Sequence, residues 1–85
     1  MQIQSYNTPL INRLYREVNN HIRYYNLSIY KTLFGEYLLQ KEYGSIKNKR
    51  PTGIRREYFL TLKEALKVCK KCLNEKMKKG YCYGK

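Results

Sequence analysis

Tyr43 and Gly44 lie a few residues before Lys47, Lys49 and Arg50, with Arg55 and Arg56 next along the chain. A planar ring beside closely spaced cations is suited to nucleic acid. The ring can stack on a sugar or base, while the cations neutralise phosphates and release their counterions. Lys79 closes a later lysine cluster, Lys76, Lys78 and Lys79, directly before Gly80. Each residue also has a plainer role open to it. Tyr43 could be a core or edge ring, Gly44 a backbone requirement, and Lys47 to Arg50 the solvated tip of a loop.

Other reactive side chains form no constellation. Cys69 and Cys72 have CxxC spacing but fall inside a predicted helix, where they share a face and are badly placed to bridge. A zinc site needs four ligands, and only Cys82 and the distant His21 remain. The pair reads as small apolar core residues, and His21, beside Asn19 and Asn20, as part of a turn. The six acidic residues are all Glu, and one His is present. No acid–nucleophile–base set and no phosphate-cradling glycine loop is visible, so the chain is expected to be no enzyme and to need no cofactor.

The charge balance points to the partner. The net charge is +12 over 85 residues, and residues 47–85 carry thirteen of the eighteen Lys and Arg. An anionic partner is expected, nucleic acid first and DNA ahead of RNA, with an acidic protein as the alternative. No stretch approaches the roughly 20 apolar residues of a membrane helix. Nor does Met1 lead into a secretory h-region. A cytoplasmic protein with no membrane partner is the expectation.

The elements that must position these residues can be read from periodicity. Residues 1–10 read as a flexible arm and residues 11–83 as one domain. Asn12 to Arg16 alternate as a short strand, and Val18 to His21 turn. From Ile22 to Lys31, Tyr25, Leu27 and Ile29 share one face, with Tyr24, Asn26, Ser28 and Tyr30 on the other. Thr32 to Gly35 is a second turn. Glu36 to Ile46 follows as a strand, although the Leu38-Leu39 pair breaks alternation and suggests covered faces or a bulge. Lys47 to Gly53 is a hairpin loop, and Ile54 to Leu60 returns. Thr61 with Glu64 three residues on is a capping box. The stripe Leu62, Ala65, Leu66, Cys69, Cys72, Leu73 and Met77 defines a helix that ends at Gly80, with the lysines largely off it. The fold class is α+β: a twisted antiparallel sheet of about four strands with one C-terminal helix packed on it. A chain this short buries only about 60% of its unfolded surface, so one modest core is available.

Arg13-Leu14-Tyr15-Arg16, Arg23-Tyr24-Tyr25, Leu33-Phe34-Gly35-Glu36, Glu42-Tyr43-Gly44, Glu64-Ala65-Leu66 and Lys78-Lys79-Gly80-Tyr81 occur in an order that resembles the WGR domain. The likeness runs from Arg13 to about Tyr81, and small stand-alone bacterial members look most similar. In the break-activated poly(ADP-ribose) polymerases this module helps hold DNA. Its signature Trp packs on a nucleotide sugar at the DNA end, and its signature Arg makes polar contacts nearby. The resemblance places Tyr43 at the Trp position and Ser45 at the Arg position. Ser45 carries no charge, so Lys47, Lys49 or Arg50 is expected to supply it. The implied function is sequence-independent binding of DNA ends, nicks or distorted duplex, with a protein-interaction adaptor as the alternative.

Overall fold

The computed structural model describes residues 10–83. Their order is β1 (Leu10–Val18), β2 (His21–Lys31), β3 (Tyr37–Ser45), β4 (Gly53–Phe59), α1 (Leu62–Lys78) and β5 (Cys82–Tyr83). The strands form one antiparallel sheet in the order β4-β3-β2-β1-β5. The sheet therefore has five strands rather than about four. The fifth, Cys82–Tyr83, is two residues long, too short for alternation to register, and exists because Tyr83 and Cys82 pair with Leu14 and Tyr15 of β1. β1 begins at Leu10 rather than Asn12. The arm expected over residues 1–10 otherwise lies outside the described residues.

Local chemistry explains the hairpins. Asn19 and Asn20 have positive φ, 51° and 67°, between the paired residues Val18 and His21. Two left-handed residues make the tight turn whose twist suits antiparallel strands, and Asn tolerates that region. In the next turn the Thr32 hydroxyl accepts from the backbone N–H groups of Phe34 and Glu36, both at 3.2 Å. Gly35 supplies the positive φ of 89°. The pairing of β3 with both neighbours runs unbroken through Leu38 and Leu39, so no bulge intervenes. Leu39 is buried beneath the helix and Leu38 is half-buried on the other side.

The register defines the helix-covered face as rows. Arg16, Arg23 and Ser45 stand abreast, then Leu14, Tyr25, Tyr43 and Gly53, then Asn12, Leu27, Lys41 and Arg55. Leu14, Tyr25, Leu27, Ile29 and Leu39 from the sheet join Ala65 and Cys69 from α1 to form the core. The expected helical stripe is broader than the observed contact. Leu62, Leu66 and Met77 are exposed, while Val68, Cys72 and Leu73 pack partly against the core. The contact follows Ala65, Cys69, Cys72 and Lys76, one residue per turn, and the small residues at its head let α1 lie close to the sheet. Lys76 is therefore on the packed side, not off it. Thr61 caps α1, its hydroxyl accepting from the Glu64 N–H at 3.2 Å, the N-cap half of the expected capping box, while the Glu64 carboxylate accepts from the same hydroxyl at 3.3 Å.

Candidate nucleic-acid interface

The C-terminal end of α1 sets the site. The N–H of Tyr81 donates to the Lys76 carbonyl and that of Gly80 to the Met77 carbonyl, both at 3.1 Å, with Gly80 at φ 102°. This double bond pattern is the Schellman motif, which turns the residue after the glycine back against the last helical turn. Here it folds the Tyr81 ring toward Lys76, whose Nζ lies 5.8 Å from the ring centroid. The same ammonium stands 4.3 Å from the Tyr25 centroid, and the Arg16 guanidinium lies 6.0 Å from the Tyr81 centroid.

Tyr43 completes an aromatic group. Its ring stacks on Tyr25, centroids 5.8 Å apart and planes 14° from parallel, while Tyr81 meets Tyr25 edge-on at 6.1 Å. Offset and edge geometries are those that aromatic quadrupoles favour. Gly53 makes the placement feasible, because a Cβ there would overlap the Tyr43 ring. Tyr25 is buried, whereas Tyr43 remains half-exposed and forms the accessible surface of the stack.

Around these rings lies a cleft of about 320 Å³ lined by Arg23, Tyr25, Lys41, Tyr43, Arg55, Lys76 and Tyr81. Four of the seven lining residues are cations, and no lining residue is acidic. Lys41 makes an ion pair with Glu57 at 3.2 Å. Burial works to lower the Lys41 pKa, but the Glu57 hydrogen bond and the adjacent Cys72 outweigh it and hold it above the ordinary value. Lys76 shifts the other way, lowered by burial first and by repulsion from Lys79 second. Arg23, Arg55 and Lys76 have no carboxylate partner among the described residues. Unpaired cations around a half-exposed ring are complementary to a nucleotide: plane against plane, charge against phosphate.

The residues singled out in the sequence are distributed unequally. Tyr43 and Arg55 line the cleft. Gly44 faces the opposite side of the sheet, where an added Cβ would come 2.9 Å from the Thr52 nitrogen and 3.1 Å from the Tyr24 hydroxyl. Close packing is the need it meets. Lys47, Lys49 and Arg50 are exposed on the β3–β4 hairpin, at the same end of the sheet as Tyr43 but outside the cleft lining. Arg56 lies on the helix-free face, its Nε donating to Gln40 Oε1 at 3.0 Å. Lys79 is the helix C-cap and is exposed beside the site. A cation that the sequence did not single out for the site stands beside Ser45. Arg23 is the direct cross-strand partner of Ser45 and lines the cleft.

Arg23, Tyr25, Lys41, Lys76 and Tyr81 were not foreseen as one site. Alternation puts Arg23 with Tyr25 and Lys41 with Tyr43, but only the β2–β3 register joins the pairs. Lys76 was detectable as the fourth member of the series 65, 69, 72, 76.

The WGR family model matches residues 11–84. No curated protein and no solved structure matches the chain. With a family match across nearly its whole length and the sheet-plus-helix plan in place, the chain belongs to the WGR domain family.

Proposed function

We propose that this protein is a non-enzymatic nucleic-acid-binding module that engages DNA ends, nicks or distorted duplex without reading base sequence. The observation that carries the proposal is the cleft itself: Tyr43 held on Tyr25, with Arg23, Lys41, Arg55 and Lys76 around it. WGR domains are generally nucleic-acid-binding modules in poly(ADP-ribose) polymerases, where they bind rather than catalyse, which supports the same reading. A stacked ring needs a nucleotide face, which an intact duplex hides and an end or nick exposes. The cations contact phosphates, which position a protein without specifying sequence. DNA is favoured over RNA by the family's use of the module. The hairpin residues Lys47, Lys49 and Arg50, with Lys79, extend the cationic surface away from the cleft.

The test is fluorescence-anisotropy binding of a 5′-phosphorylated blunt duplex against the same duplex with hairpin-sealed ends, across several salt concentrations. Open ends are expected to bind more tightly, and Tyr43→Ala to remove most of that difference, a loss of about 1–3 kcal/mol for one stacked base. Equal binding to open and sealed duplex, indifferent to Tyr43→Ala, would reduce the site to a general basic surface.

The adaptor reading rests on the helix-free face. A hollow of about 240 Å³ there is lined by Arg13, Tyr15, Tyr24, Asn26, Glu42, Ile46 and Asn48. It has mixed charge, and Asn26 Oδ1 is buried beside it without a hydrogen-bond partner among the described residues. A polar protein segment suits that hollow better than a polyanion does. Absence of nucleic-acid binding at low salt would promote this second reading.

A further inference from the structure

Among the described residues, nothing pairs with the outer edge of β4, and that edge is self-complementary. β4 is the terminal strand in the order β4-β3-β2-β1-β5, and Ile54, Arg55, Arg56, Glu57 and Tyr58 are all exposed. The helix packs on the sheet without covering these residues. An uncovered edge is a template for another strand unless its side chains forbid pairing.

The backbone pattern can be followed from one bond. The Ile46 N–H donates to the Ile22 carbonyl at 3.1 Å, so the even-numbered residues of β3 bond to β2. The odd-numbered ones then bond to β4, engaging Gly53, Arg55, Glu57 and Phe59. The N–H and carbonyl groups of Ile54, Arg56 and Tyr58 therefore point outward from the sheet.

We propose that two copies of this chain associate edge to edge through β4, antiparallel about a two-fold axis at Arg56. In that register every outward N–H of Ile54, Arg56 and Tyr58 meets an outward carbonyl of the partner strand. Ile54 opposes Tyr58 on the helix-free face, and both are exposed apolar side chains, 42% and 59% accessible. Arg55 opposes Glu57 on the helix-covered face, twice by symmetry, at positions whose side chains approach closely. Shifting the axis by one residue either way would set Arg55 against Arg55 or Glu57 against Glu57. The charge pattern thus selects one register. Its single like-charged pair is Arg56 with Arg56, and each is drawn back over its own sheet by Gln40.

The axis is perpendicular to the sheet, so both helices and both clefts lie on the same side of one continuous sheet. Arg55 lines its own cleft and faces Glu57 of the other copy, which makes the partner part of the cleft wall. The association itself does not depend on what the cleft binds.

Sedimentation equilibrium of the full chain without nucleic acid, from about 10 µM to 1 mM, reads the association constant directly. The wild type is expected to rise from one chain mass toward two. Arg56→Pro removes an N–H that β3 does not use, so the monomer keeps its ladder while dimerisation weakens by about tenfold or more. Glu57→Arg is expected to weaken it by about fivefold or more, and adding Arg55→Glu to that variant to restore it to within about threefold. A wild type that stays monomeric throughout overturns the proposal. So does a dimer that tolerates both Arg56→Pro and Glu57→Arg, or a charge-swapped double variant that fails to recover. Should Arg56→Pro unfold, the swap pair still decides.

Discussion

Lys76 shows how a cation can be held at a packed position in the wall of the cleft. It is a lysine in a packed helical position, its pKa lowered by burial and by Lys79, held over Tyr25 and Tyr81 by cation–π contact. Lys76→Met keeps the packing and removes the desolvated charge, losing a contact worth roughly 0.5–1 kcal/mol near the surface. Stability in a urea titration is therefore expected to change by less than about 1 kcal/mol. Nucleic-acid affinity is expected to fall several-fold, with a salt slope shallower by about 0.9, as for one lost phosphate contact. Gly53 makes a complementary case. Gly53→Ala would displace the Tyr43 ring, so end-specific binding should fall about as far as in Tyr43→Ala while the charge and salt slope stay unchanged. Binding assays on the two variants side by side separate ring from charge. The ring was legible from its place before the basic loop. Its cationic shell was not, because Arg23, Lys41 and Lys76 come from three elements and meet only once strand register and helix position are set.

The helix was the most legible element, since cap, period and terminal glycine each depend on neighbours within four residues. What its sequence could not reveal was how wide a stripe the sheet would cover, and Leu62, Leu66 and Met77 stand exposed for that reason. Its last turn does more than stop the helix. Gly80 at φ 102° positions Tyr81 over Lys76, and a Cβ there would also lie 3.4 Å from the Arg16 side chain. Gly80→Ala is expected to lower stability by about 1–2 kcal/mol through backbone strain. A lower urea midpoint at unchanged m would register it, with weakened end binding because the wall of the cleft shifts. The strands were legible as far as alternation reached. β5 was missed because its identity lies in pairing with Leu14 and Tyr15 and in no pattern of its own.

At the scale of the molecule, the net charge of +12 is distributed over both faces and the hairpin, while the cleft gathers four cations in one place. If the cleft is the site, only its own cations and a few neighbours touch phosphates. The logarithm of affinity should then fall against the logarithm of salt with a slope between about −3 and −6, not the value near −11 that engagement of all twelve net charges would give. Anisotropy titrations at four or five salt concentrations measure this slope. The rings of the cleft carry a further consequence. Ten tyrosines, two phenylalanines and no tryptophan leave the near-ultraviolet spectrum dominated by tyrosine, and Tyr25 and Tyr43, stacked at 5.8 Å, are a coupled pair within it. Burial, and then Cys72, raise the Tyr25 pKa above the ordinary phenol value, so its ionisation in an alkaline titration should come late. Stability linked to it is complete below the ordinary phenol value and is lost as pH rises past it. A ligand entering the cleft is expected to alter the dichroism of that pair. The unlabelled protein is its own optical gauge of occupancy.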